Sequence, residues 1–522
     1  MSAMRPVVRE RGLVAKMDDG CRLVADVWLP EGAGPRPALL QRLPYGRSVA
    51  SSPVLPSPAQ LARLGYAVVV QDVRGTGDSG GSFVPFAFEA TDGAATVEWV
   101  GEQPFCSGDV AMYGFSYQGL NQLQAAALRP EGLQAIAPMM CAAEPYDLLY
   151  DQGCLKWGFA ASWAAQLSGL GGSPRGADLT ALPLASAIGA EPPGWFLDWL
   201  AHDTRDAYWE ALAPDLGAID VPVFTVIGYA DNFASATIRM AAELRAGMVC
   251  GPWAHMPWGT RFGDIELGAE AGPGPAIEAF LAFLADVLPV PGSAASGDPR
   301  PAPGVSYYVV GRGWQEASAW PPAGETRLLV AVSGAGANSR HGDGRLLLGE
   351  KAGPERLGGL GDVIAAEPLV PVPGTADAYP DVSAVEDRRD VLCYSAAPEP
   401  EAIVVAGSPK ARVIASIDGP GLDLIASLVV VEGPIARRIT HGASRLTGPA
   451  GTPLEAEIVL TPIAWLVPAG ASIRLDLSAT RFPLYARHPQ AAGGPVADRP
   501  PSGYSVGTVE VRSASLELAV EA

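Results

Sequence analysis

Long hydrophobic runs are missing from this chain of 522 residues. No stretch of about 18 apolar residues is present to cross a bilayer as a helix. The opening Met1-Ser-Ala-Met-Arg-Pro-Val-Val-Arg-Glu-Arg11 has no apolar core, so no secretory signal is expected. Basic residues are in deficit, with 36 Lys and Arg against 56 Asp and Glu and a formal net charge of −20. Nucleic acid and anionic membranes are thereby excluded as general partners, because both need a cationic surface. Cysteine is sparse too. Cys21, Cys106, Cys141, Cys154, Cys250 and Cys393 are scattered, with no CxxC and no metal-ligand spacing. Reduced thiols in a cytoplasmic protein are expected, with no metal and no cofactor. Cys250 reads as core filling at a strand end. Histidine is limited to His202, His255, His341, His441 and His488.

What is present is a globular text, 48% apolar and 18% charged, long enough for two or three domains. From Cys21 to Met139, short apolar runs alternate with helical segments. Arg22–Trp28, Pro37–Arg42, Tyr66–Gln71, Val110–Tyr113 and Leu133–Met139 read as strands. Pro58–Leu64, Glu89–Val100 and Leu120–Arg129 read as helices, the last stopped by Pro130. This βαβ rhythm predicts a mostly parallel sheet with helices on both faces. From Ala142 to about Gly217 the text turns helical and aromatic, with Tyr146, Tyr150, Trp157, Phe159, Trp163, Trp195, Phe196, Trp199, Tyr208 and Trp209. That segment predicts a helical cap in which most aromatics pack and a few face a pocket. Strand text resumes at Val221–Gly228 and Gly247–Gly251. After a Pro/Gly/Ser-rich stretch over 289–303, short alternating runs predict a β-sandwich, with strands at 326–332, 402–406, 411–417, 424–431, 455–460, 472–477 and 509–518. The expected domains are a core over 1–141 and 219–325, a cap over 142–218 and a sandwich over 326–522.

The chemistry is written at Gly114-Phe-Ser116-Tyr-Gln-Gly119, a G-x-S-x-x-G sequence between a buried strand and a helix. A nucleophile elbow needs that context. Its glycines permit a strained backbone, and the helix N-terminus aims free N–H groups at charge developing beside Ser116. Gly77-Asp-Ser79-Gly-Gly81 spells a second candidate, the GDSGG of chymotrypsin-like proteases. Those enzymes carry their histidine before the serine, and none here precedes His202. No helical run follows Ser79 either, so it reads as a glycine-rich loop.

A serine hydroxyl needs a base, and the base needs an orienting acid. In the α/β-hydrolase arrangement the acid and then the histidine follow the serine, each after a late strand. Asp231 is the first carboxylate after the run ending at Gly228, and His255 lies just beyond the run ending at Gly251. Asp220 precedes its strand and Asp264 follows the histidine. The N–H of Tyr117 is one expected oxyanion donor. Tyr45, after an early strand, is either a second donor through its hydroxyl or a packing residue.

The chain resembles the cocaine esterase / X-prolyl dipeptidyl-peptidase group of hydrolases. The likeness rests on Leu43–Gly46, Asp72–Gly81, Gly114–Gly119, Gly228–Phe233, Gly251–His255, Asp387–Ser395 and Ser478–Pro483. It implies an α/β-hydrolase core with an inserted helical cap and a C-terminal jelly-roll-like sandwich. It also implies Ser116, Asp231 and His255 as triad, Tyr45 hydroxyl and Tyr117 N–H as oxyanion hole, and Trp157 and Phe233 as walls of the acyl pocket. Asp231 is followed by Asn232, Phe233, Ala234 and Ser235, with no extra carboxylate to hold a substrate ammonium. The expected activity is carboxylic-ester hydrolysis, with an amidase, acylase or dipeptidyl-peptidase as the alternative. The expected partner is a small ester or amide, with self-association left open.

Overall fold

Short apolar runs, several of them rich in valine, become the strands of the first 140 residues. The computed structural model describes residues 6–32, 34–49, 54–169, 176–291, 304–349, 360–374, 378–490 and 499–521. Strands β1 (Val7–Lys16), β2 (Arg22–Pro30), β3 (Arg36–Leu43), β4 (Ala67–Asp72), β5 (Cys106–Phe115) and β6 (Leu133–Met139) pair in the order β1-β2-β4-β3-β5-β6. Pairing is antiparallel as far as β4 and parallel beyond it. Every residue of β4 is buried, as expected for a strand covered on both faces. Helices α1 (Pro58–Leu64), α2 (Glu89–Gly101) and α3 (Tyr117–Ala126) connect these strands. The helix predicted over 120–129 begins three residues earlier, at the elbow. It ends at Ala126, before Arg129 turns to a φ of 53° ahead of Pro130.

The cap follows as α4 (Pro145–Leu149), a small hairpin of β7 (Tyr150–Asp151) and β8 (Cys154–Leu155), α5 (Trp157–Ser168), α6 (Gly194–Ala201) and α7 (Ala207–Glu210). Its aromatics pack on one another. Tyr146 stacks on Tyr150 at 4.8 Å and Trp163 on Trp199 at 5.3 Å. The core then resumes with β9 (Phe224–Ala230), α8 (Ala234–Glu243) and β10 (Gly247–Ala254). The bridge from Ile136 to Val223, and the Met140 N–H to Val226 carbonyl bond at 2.9 Å, join β9 to β6. A ribbon of β11 (Arg261–Phe262) and β12 (Ile265–Glu266) and the helix α9 (Gly274–Val287) precede β13 (Val305–Val309) and β14 (Gly313–Ala317). These last strands extend the core sheet beyond β10. Of the predicted loop over 289–303, residues 292–303 lie outside the described residues.

The sandwich comprises β15 (Gly324–Val332), β16 (Arg345–Leu348), β17 (Asp362–Ala366), β18 (Val391–Ser395), β19 (Ile403–Gly407) and β20 (Lys410–Ile417). It continues with β21 (Gly421–Glu432), β22 (Ile435–Thr447), β23 (Pro453–Val459), β24 (Ile463–Val467), β25 (Ser472–Ser478) and β26 (Gly507–Glu521). β26 pairs with β15, β17, β19 and β20 and so ties the array together. One buried apolar cluster runs from α3 and the cap into this sandwich, including Leu123, Trp163, Ile227, Leu424 and Leu516. Among the described residues, no helix is long and apolar enough to cross a membrane. The architecture is an α/β-hydrolase core with an inserted helical cap and a β-rich C-terminal domain.

Candidate active site

Ser116 sits at φ 65° and ψ −128°, a conformation that a non-glycine residue rarely holds. The turn is possible only because its neighbours are glycines. A Cβ on Gly114 would approach Gln118 Cβ to 2.6 Å, and one on Gly119 would approach Cys141 to 2.7 Å. The Ser116 N–H donates to the Met139 carbonyl at 2.9 Å, and α3 starts at the next residue. Beneath the elbow the Tyr117 hydroxyl donates to Glu89 at 2.9 Å. Arg42 donates to the same carboxylate at 2.5 Å and to Gln71 at 2.8 Å. Burial raises the Glu89 pKa, against the pull of Arg42.

Asp231 follows β9 and is 2% exposed. Its Oδ1 lies 3.0 Å from Nδ1 of His255, just past the end of β10. The imidazole lies beside the elbow, 5.4 Å from the ring of Phe115 and 5.2 Å from that of Phe233, ring to ring. Oδ2 of Asp231 is buried with no hydrogen-bond partner among the described residues. The other histidines are elsewhere. His202 pairs with Asp206 at 2.6 Å in the cap, and His341 with Asp387 at 3.0 Å in the sandwich. His441 and His488 are sandwich residues whose pKa values are lowered by burial.

Ser79 is committed to structure. Its hydroxyl donates to the Asp72 carbonyl at 2.8 Å and accepts the Val24 N–H at 2.9 Å. The surrounding segment shapes the turn that carries Tyr45. The Arg47 N–H donates to Asp72 at 2.5 Å, and its guanidinium reaches Asp26 at 3.0 Å and Asp78 at 2.7 Å.

The structure brings the Tyr45 hydroxyl beside that of Ser116. The Tyr45 oxygen also accepts the indole N–H of Trp163 at 3.1 Å. Burial pushes the Tyr45 pKa up to about 12, so the phenol keeps its proton. Trp163 lies on α5, the helix that begins with Trp157. Trp157 is wholly buried, and its indole N–H donates to the Leu179 carbonyl at 2.9 Å. Two other rings of the same helix pack toward the site, Trp163 on the Tyr45 hydroxyl and Phe159 on Phe233. Phe159 stacks on Trp163 at 5.4 Å and meets Phe233 edge-on at 5.1 Å. Sequence reasoning placed both among the cap aromatics without a role. The signal available was their spacing of four on one helix face. Among the described residues, one trio places metal-type donors within 4.8 Å, namely Glu386, Cys393 and Asp476 in the sandwich. Arg474 and Arg481 share that pocket.

Two family models match the chain. The X-Pro dipeptidyl-peptidase (S15 family) model covers residues 19–257, and the X-Pro dipeptidyl-peptidase C-terminal non-catalytic domain covers 300–498. The chain is 29% identical to the cocaine esterase of Rhodococcus sp. (strain MB1 Bresler), over 92% of each protein. Among solved structures it superposes on an aminopeptidase from a marine sediment Thaumarchaeota archaeon with a TM-score of 0.82. The identity is 21%, over 100% of this chain and 98% of that one. An α-amino acid ester hydrolase matches with the same score, identity and coverage. With both family models met in order and a relative aligned along nearly its whole length, the chain belongs to the cocaine esterase / X-prolyl dipeptidyl-peptidase family of α/β-hydrolases.

Proposed function

We propose that this protein is a serine hydrolase that cleaves carboxylic esters through an acyl-enzyme. Ser116 attacks the carbonyl carbon. His255 takes the Ser116 proton and returns it to the leaving alcohol. Asp231 accepts the Nδ1–H, fixes the tautomer and balances the imidazolium. The Tyr117 N–H and the Tyr45 hydroxyl donate to the oxyanion. Water activated by His255 then releases the acid and frees Ser116.

The observation that carries this reading is the 3.0 Å Asp231–His255 pair beside a serine held at φ 65°. Likeness to a cocaine esterase along 92% of both chains supports an ester substrate. Phe159, Trp163 and Phe233 form an aromatic wall suited to an apolar acyl group. Glu89, which bonds Tyr117, is already committed to Arg42, so it is not a free anchor for a substrate ammonium. All six cysteines are unpaired, in keeping with a reducing cytoplasmic setting.

A panel of p-nitrophenyl esters, set against aminoacyl and X-prolyl p-nitroanilides, tests the substrate class. Esters should be turned over and anilides left intact. Anilide cleavage without ester cleavage would move the reading to a peptidase. A fluorophosphonate should add once, at Ser116, and Ser116→Ala should lower kcat by about 10⁴ or more. An adduct on another residue would end the assignment.

A further inference from the structure

A small cavity of about 50 Å³ lies against Asp231 where core, cap and sandwich meet. Its walls include Asp151 and Lys156 from the cap, and Arg438, His441 and Tyr485 from the sandwich. Lys156 is the unusual member. A buried ammonium is costly unless its charge is answered. Lys156 is 9% exposed, and its two hydrogen bonds go to carbonyls, that of Asp147 at 2.7 Å and that of Asn232 at 3.0 Å. Neither carbonyl neutralises the charge, so its field extends to the carboxylates of Asp151, Asp147 and Asp231.

The position matters as much as the charge. Lys156 is the N-cap residue of α5. Asn232 directly follows the catalytic acid, so the ammonium ties the cap helix to the acid loop. Its Nζ also lies 5.5 Å from the Phe233 ring centroid, and that ring meets the His255 imidazole at 5.2 Å. Further along the same helix, Trp163 holds the Tyr45 hydroxyl. One helix therefore grips the acid loop at its start and the oxyanion donor seven residues on.

We propose that Lys156 is a positioning residue for the triad. Its ammonium fixes the acid loop through the Asn232 carbonyl. It also places a buried positive charge beside Asp231, which disfavours protonation of His255 and keeps it ready as a base. The inference rests on the triad reading above. The other charged groups around Lys156 are Asp151, Asp147, Asp231 and Arg239, with Arg438 across the cavity. His441 faces it as a neutral ring, since burial and the neighbouring cations hold its pKa well below the usual value. Burial also lowers the proton affinity of Lys156 itself, and the three carboxylates counter that.

The test is the second-order rate at which a fluorophosphonate labels Ser116, measured from pH 5 to 9. It needs no knowledge of the natural substrate. K156Q keeps a hydrogen-bond donor and loses the charge, K156M loses both, and K156R keeps the charge. In K156Q and K156M the acid limb should move up by about half to one pH unit, lowering labelling on that limb about 3- to 10-fold. At high pH the rate of K156Q should return to within about threefold of wild type, because the charge acts through protonation of the base. K156R should keep the wild-type limb. A uniform loss at every pH in K156Q, with the limb unmoved, would reduce Lys156 to a structural tie and overturn the proposal. Should K156M fail to fold, K156Q and K156R still decide it. No labelling of Ser116 in the wild-type chain would overturn the triad reading instead, and this inference with it.

Discussion

At the scale of single residues, the proposed trio was legible because local geometry fixes it. An elbow must carry glycines within a few residues of its serine, and the acid and base must follow strand ends in a set order. Ser116, Asp231 and His255 meet those demands without knowledge of the fold. Tyr45 stayed ambiguous because its partner Trp163 is 118 residues away in sequence. The contact also defines a prediction. The Tyr45 oxygen accepts one N–H, which polarises the hydroxyl and strengthens it as a donor. Tyr45→Phe should lower kcat by 10² to 10³, the cost of about 2.7–4 kcal/mol for one lost oxyanion donor. Trp163→Phe keeps a ring and removes only the N–H. It should cost about 1–2 kcal/mol, roughly 5- to 30-fold in kcat. The double variant should be no slower than Tyr45→Phe alone, because Trp163 acts through that hydroxyl. Kinetics of the three variants on one p-nitrophenyl ester decide this, and additive losses would show that Trp163 works elsewhere.

At the scale of elements, what escaped the sequence reading were strands whose pattern is broken by buried polar groups or by position. β22 is 13 residues long and pairs along β21, yet Arg437, Arg438, His441 and Arg445 interrupt its alternation. All four have partners or surroundings outside the sandwich: Arg437 pairs with Asp264, Arg445 with Asp203, and Arg438 and His441 face the cavity beside Asp231. Strand patterning assumes one dry face and one wet face, and β22 has a face against other domains. β13 was missed because it follows text that reads as a linker. Another departure from apolar patterning is the acid pair Glu386 and Asp476, the latter on β25. Both are fully buried. Burial and the nearby Asp476 charge push the Glu386 pKa up to about 8, against a nearby Arg474. The folded chain therefore holds a proton that the unfolded chain releases near the ordinary pKa of 4.5. Stability from this group is full below about 4.5 and declines as pH rises through about 8. Glu386→Gln mimics the protonated form and can still donate to Asp476. Its Tm should fall less steeply than that of wild type between pH 5 and 8, measured by calorimetry in matched buffers. Parallel Tm curves would show that Glu386 does not carry the linked proton.

At the scale of the whole molecule, the sandwich is wired into the enzyme and is not an appendage. The Gln152 amide of the cap donates to the Ala443 carbonyl at 2.9 Å, and Tyr485 donates to Asp151 at 2.8 Å. The backbones interlock as well, with the Gly158 N–H on the Pro483 carbonyl at 2.8 Å and the Val310 N–H on the Ala464 carbonyl at 2.9 Å. Composition announced a sandwich through short alternating runs. It could not announce this docking, because the polar and glycine positions responsible look like ordinary loop text when the partner surface is unknown. The cavity against Asp231 has its outer wall from the sandwich, in Arg438, His441 and Tyr485. Removing that wall would open Lys156 and the acid loop to water, and water would screen the charge that holds them. It would also uncover core-domain residues packed against the continuous apolar cluster, such as Phe262, which meets the Tyr379 ring edge-on. A chain ending after residue 323 keeps every proposed triad and oxyanion residue. It should nevertheless precipitate, or fail to label with a fluorophosphonate where it stays soluble. Expression of that shortened chain beside the full one, with labelling rates read by intact mass, is the measurement. A soluble fragment labelled at the full-length rate would show that the sandwich contributes nothing to the site, and would confine the catalytic geometry to core and cap.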